Sequence, residues 1–164
     1  MSPPSLSSLL PLVFENVGPI LFALAFAAAA FDRGKPVADR LLSWLLLLPV
    51  GLGGLWSAYF HLFQPALAAN AIGWADSPFQ FEVGMADLAL GIAGCFSVYA
   101  SFGFRAAVTL INAIFLAGDG VGHARQMIVA RNFAVDNAGP VFWVDLALPL
   151  VSLACLHLSR KSRK

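Results

Sequence analysis

Apolar residues run along this chain in long blocks, and the polar positions that interrupt them are few enough to name. Windows read against a hydrocarbon layer about 30 Å thick give about five stretches of spanning length, at 9–31, 40–63, 78–102, 106–129 and 140–158. The third has a marked start: Ser77, Pro78 and Gln80 read as a capping box with a first-turn proline. The fifth begins after Asn137 and Gly139, with Pro140 in its first turn. Between the second and third, residues 65–74 are rich in alanine and predict a short interfacial helix, stopped by Gly73 and anchored by Trp74. Pro49 predicts a kink in the second span. No linker and no strong repeat divides the chain. The expectation is one all-α domain over 1–164, a polytopic helical membrane bundle.

Composition supports the membrane class. Hydrophobic residues make up 59% of the chain and charged residues 12%, against about 25% charged in soluble domains. Mean hydropathy is +0.78. The placement of charge says more than its total. Arg33, Lys35, Arg40 and Arg105, with Arg160, Lys161, Arg163 and Lys164, fall in connections or ends that share one side, leaving Arg125 and Arg131 for the other. The excess of positive residues predicts that their side is cytoplasmic. With five spans, the N-terminus is then outside and the C-terminus cytoplasmic, in a multi-pass protein of the inner (cytoplasmic) membrane. A four-span arrangement, with the weakly apolar first helix outside the core, is the rival. Pro3, Pro4, Pro11 and Glu15 with no preceding Lys or Arg do not read as a signal peptide, so the first helix is expected to stay. No basic tract is long enough for nucleic acid. Membrane lipids are the expected surroundings, with a homo-oligomer or a larger membrane complex as possible partners. Cys95 and Cys155 lie in apolar runs without CxxC spacing and read as buried small residues.

The intramembrane polar residues fall into register on the opposite, outer side. Glu15 lies early in span one, His61 at the end of span two, Glu82 and Asp87 in the first half of span three. Asp119 and His123 lie in the second half of span four, and Asp145 early in span five. The inner halves hold nothing comparable. Each ionised carboxylate costs about 2.5–3.5 kcal/mol at a helix centre, so these five acids would sum to roughly 12–18 kcal/mol if all met lipid. They must face each other, water, a cation or a proton. Asn112, Asp119, His123 and Gln126 are spaced by seven, four and three residues, which is one helical stripe. Asp119 can reach His123 one turn on, fixing the imidazole tautomer and raising its basicity. That suits a metal ligand or a proton carrier; hydrogen bonding between helices is the plainer alternative. His61, near Trp56, Tyr59 and Phe60, also fits an aromatic interface belt.

Glycines and prolines qualify the picture. Gly118 and Gly122 form a GxxxG pair suited to close packing, while Gly84, Asp87, Gly91 and Gly94 share one face, a close contact with an acid set into it. Pro19 and Pro149 each stand four residues after an acid, Glu15 and Asp145, and would free that acid's carbonyl. Carboxylate and loose carbonyl together resemble the cation sites of broken transporter helices; a plain proline kink is the simpler reading.

The segments WSAYFHLFQP, IGWADSPFQFEVGMADLALGIAG, GDGVGHARQM and DNAGPVFWVDLALP, in that order, resemble an uncharacterised family of small prokaryotic integral membrane proteins. SPFQFE and GDGVGH carry most of the likeness. The resemblance implies a helical membrane protein and no activity. The positions it highlights are His61, Glu82, Asp119, His123 and Asp145.

Three functions compete. The first is cation handling, either a divalent transition metal held by Glu82, Asp119, His123, His61, Asp145 and Glu15, or protons relayed with the help of Asp87, Asn112 and Gln126. Mixed nitrogen and oxygen donors suit Zn, Mn, Fe or Ni, although no HxxxH pair is present. The second is an intramembrane enzyme acting on a lipid- or quinone-like molecule with Asp119 and His123 as acid and base. No nucleophile elbow, haem-ligating histidine pair or phosphate loop names a reaction, which weighs against an enzyme. The third is an accessory subunit of a larger complex.

Overall fold

A computed structural model describes residues 16–161. The described residues are mostly helical, with no strand among them. Among the described residues, four helices are long and apolar enough to cross a membrane. In chain order, helix α1 is Val17–Phe31 and α2 is the long span Val37–Phe63. The short α3 is Pro65–Ile72, and α4 is Phe79–Phe96. Helix α5 is Phe102–Val129, α6 is the single turn Val135–Ala138, and α7 is Pro140–Lys161. The described part of α1 has 15 residues, or about 23 Å at 1.5 Å each; the rest of the expected first span, Glu15 included, lies outside the described residues. Helix α1 is nevertheless part of the bundle, packed on α2 and α7 with Ala25 and Ala29 buried.

Helix α2 ties the bundle together. Its first part, Val37–Leu45, packs against α1 and α7; its last part, Gly54–Phe63, packs against α4. Between them Leu46–Gly53 winds more widely, as a π-type segment containing Pro49. Proline has no N–H to give and its ring crowds the preceding turn, and widening the helix relieves both problems. The expected kink is thus an unwound segment. It also brings the backbone of α2 against α4: a Cβ added at Gly94 would stand 2.7 Å from the Gly51 nitrogen and the Leu46 carbonyl oxygen, and one at Gly91 2.7 Å from the Leu55 nitrogen. The glycine face of span three is the close contact its sequence predicts. The Gly118/Gly122 pair is not: nothing lies within 4 Å of a Cβ at Gly118, while Gly120 between them meets Leu146 at 2.8 Å. A Cβ at Gly122 would meet the Trp74 ring at 3.9 Å, so among the described residues no helix packs on this spacing.

Helix α3 forms as expected and ends on Gly73 in the left-handed conformation, φ 74°. The capping box at span three does not form. Helix α4 starts at Phe79, with no side-chain hydrogen bond at the cap. The Gln80 amide oxygen instead meets a histidine on α2.

The apolar core joins four helices: Ala25, Leu42, Leu45, Leu46, Val50, Val108, Leu148 and Cys155 are buried together. Helices α5 and α7 pack closely, as do α4 and the end of α2, but α4 and α5 touch only sparsely. The seam between these two pairs holds three of the acids, Asp87, Asp119 and Asp145.

Candidate functional site: a histidine–carboxylate cluster

The site is built around Asn137, whose side chain is fully buried in the α6 turn. Its amide nitrogen donates to the Asn132 carbonyl at 2.9 Å and to the His123 carbonyl at 3.4 Å. Its amide oxygen therefore points the other way, and accepts from the Trp74 indole N–H at 3.2 Å. The same oxygen lies 2.9 Å from His123 Nδ1. Because an indole N–H can only donate, the oxygen is an acceptor, and His123 must carry a proton on Nδ1. Trp74 also tilts its ring against the imidazole, with centroids 5.7 Å apart. The expected interfacial anchor is thus part of the site.

The other ring nitrogen, Nε2, faces Asp145 Oδ2 at 3.7 Å. His123 and Asp145 are 7% exposed each. The i, i+4 spacing predicts that Asp119 can reach and orient this histidine. Asn137 does so instead, and Asp119 makes no hydrogen bond or ion pair among the described residues. An i, i+4 spacing permits a contact; the amide and carboxylate of neighbouring elements take both ring nitrogens first. Asp119 is half-buried, within electrostatic reach of Asp87, His123 and His61. Asp145 in turn senses Asp119 and Asp87.

Asp87 is buried on the glycine face of α4 and accepts a hydrogen bond from Ser57 Oγ at 2.7 Å. His61, on the last turn of α2, has Nδ1 2.5 Å from Gln80 Oε1. Gly84 lets α4 approach closely here, since a Cβ at that position would stand 3.0 Å from the His61 Cβ. Asn112 is buried one turn and more below, and Gln126 is half-buried near the helix end; neither side chain makes a hydrogen bond among the described residues. Glu82 is exposed on α4 and does not face the cluster. Glu15 lies outside the described residues. Among the described residues, no three of His, Cys, Asp and Glu stand close enough to hold a metal ion together.

A second buried polar cluster lies at the other end of the bundle, where the sequence predicts nothing comparable. Arg105 and Asp39 are 4% and 7% exposed. Arg105 Nη1 bonds Asp39 Oδ1 at 2.9 Å; Nη2 donates to the Asp39 carbonyl at 3.0 Å and to Ser43 Oγ at 3.1 Å. Arg105 is thus no free loop charge: it starts α5 and is locked to the start of α2. Nearby, Asp32 accepts from the Trp44 indole at 3.2 Å, and its carbonyl accepts from Arg40. Along the sequence Arg105 reads as a topology charge and Asp39 lies just outside the expected second span, so nothing in the pattern pairs the two. Nor does the pattern mark Asn137 as a site residue, because a lone asparagine in a short connection has no period to betray it.

A family model, a family of unknown function (DUF6790), matches residues 11–164. The chain belongs to that family. No curated protein and no solved structure matches it. Membership in DUF6790 brings no activity with it, so the chemistry of this DUF6790 protein rests on the cluster itself.

Proposed function

We propose that this small membrane protein handles protons, with the His123–Asp145 pair as the site that holds one. One observation carries the reading. With its proton on Nδ1, a neutral His123 turns the lone pair of Nε2 toward the Asp145 carboxylate at 3.7 Å. Two lone pairs facing each other in a buried place repel, and the pair becomes favourable only when a proton joins it. That proton makes either an imidazolium beside a carboxylate or an imidazole beside a carboxylic acid. Asp119 and Asp87 stand within electrostatic reach and no arginine or lysine pairs with them among the described residues. They are further acceptors along the seam. The metal form of cation handling finds less support, because the donors do not converge in threes among the described residues and Glu82 faces outward.

The test is proton movement in liposomes holding the purified protein and a trapped pH dye. Under an imposed pH gradient the unaltered protein should carry protons faster than empty liposomes, and His123→Ala and Asp145→Asn should each lower the flux at least ~10-fold. Flux equal to empty liposomes, or unchanged in both variants, overturns the proposal. Nitrogen-15 spectra of labelled histidine give an independent check: His123 should be protonated at Nδ1, and a neutral ring protonated only at Nε2 would remove the argument.

A further inference from the structure

A proton buried between His123 and Asp145 needs a route to water. An open cleft of about 450 Å³ lies at the same end of the bundle, lined by His61, Leu62, Pro65, Asp76, Gln80 and Phe81. Asp76 is exposed at its lip, whereas Gln80 is 7% exposed at its base. His61 bridges the two environments: its ring lines the cleft, and it stands one helical turn after Ser57, whose hydroxyl bonds Asp87 inside the seam at 2.7 Å. We propose that this cleft is the aqueous entrance to the buried site and that His61 is the relay through which protons enter. This rests on the proton-handling reading above.

The chemistry follows from how the ring is held. Gln80 Oε1 accepts from His61 Nδ1, and the close approach of α4 at Gly84 holds the base of the side chain. The lone pair is then on Nε2, the nitrogen free to take a proton from cleft water. Uptake turns imidazole into imidazolium. Release of that same proton, directly or through a water, to the Asp119 carboxylate returns a neutral imidazole and leaves a neutral carboxylic acid. Charge and protons balance, and the proton then rests on Asp119, one helical turn before His123 on α5. The groups around His61 are consistent with this direction of travel: Asp76 at the lip draws protons from water, Asp119 and Asp87 inside accept them, and Gln80 and Ser57 are neutral. The alternative role for the His61–Gln80 bond is that it merely holds α2 to α4, and a static link would not control a rate.

The experiment is a stopped-flow pH jump on the purified protein, with infrared detection of the carboxyl band. His61→Phe should slow protonation of the buried acids at least ~10-fold while leaving the final amplitude unchanged. Imidazole added to His61→Ala should restore the rate. An unchanged rate in His61→Phe, or loss of amplitude in a folded variant, overturns the entrance. Absence of any amplitude in the unaltered protein instead overturns the proton-handling reading beneath it, which separates the two failures. If the His61 variants do not fold, Ser77→Cys in a Cys95→Ala, Cys155→Ala background serves. Capping that thiol at the cleft with a bulky, membrane-impermeant reagent should slow protonation to the same degree; equal rates before and after capping would overturn the route.

Discussion

At one end of the bundle, Asp39 meets a guanidinium at 2.9 Å, with two further hydrogen bonds from the same arginine to its neighbourhood. At the other end, Asp145 meets an imidazole at 3.7 Å, and Asp87 accepts from a hydroxyl at 2.7 Å. Both sets of acids are buried among apolar helices. The first is neutralised by a charge that never leaves, because arginine does not give up its proton in proteins. The second faces an imidazole and a hydroxyl, neither of which carries a permanent charge. A permanent counter-charge makes a lock between α2 and α5. An exchangeable one is what the proposed proton site requires. The packing agrees: the lock sits beside the apolar core, and the exchangeable groups sit along the seam where α4 and α5 touch sparsely.

That contrast can be broken most directly at the lock. Arg105→Met should strand the Asp39 carboxylate and destabilise the protein by about 3–5 kcal/mol, read as a lowered unfolding midpoint in detergent. Pairing it with Asp39→Leu should recover most of the loss; failure to recover would mean that the pair does not act as a unit. Next in size, Asn137→Leu should cost about 1–3 kcal/mol, since it leaves the Trp74 indole and His123 Nδ1 without their acceptor. It should also shift the His123 nitrogen-15 spectrum toward a mixture of tautomers, and an unaltered spectrum would show that Asn137 does not set the ring. Asp145→Asn sharpens the comparison. It removes a buried acid that has no permanent cation, so stability should change by less than about 1 kcal/mol while proton flux falls. A loss as large as that of Arg105→Met would make the two ends alike. Smallest of all, Glu82→Gln should stay within about 0.5 kcal/mol and leave flux unchanged, because the side chain is exposed.

Several features were legible before any coordinates. The glycine face of span three, with Asp87 set into it, reads correctly because close packing needs small residues at a helical period and the face carries them. Gly118 and Gly122 follow the same rule and pack against no helix: the motif describes what one helix offers, and the neighbour decides whether to use it. Asp119 and His123 repeat the lesson in polar form. Their spacing permits a bond, yet Asn137, 14 residues from His123 in sequence, and Asp145 occupy the imidazole. Gln80, expected to cap its own helix, bonds across to His61 instead.

What the chain settles by itself is which segments are helical, which are apolar enough to span a membrane, and that acids lie within them. These are sums over neighbouring residues, because helical periodicity and hydrophobic length accumulate along the sequence. Partner choice is different. Trp74 and Asn137 stand 63 residues apart, and Asp39 and Arg105 66. Only the packing of α5 against the start of α2 and against α7 sets one acid beside an arginine and another beside a histidine, because contacts between residues so far apart in the chain are decided by how whole helices meet.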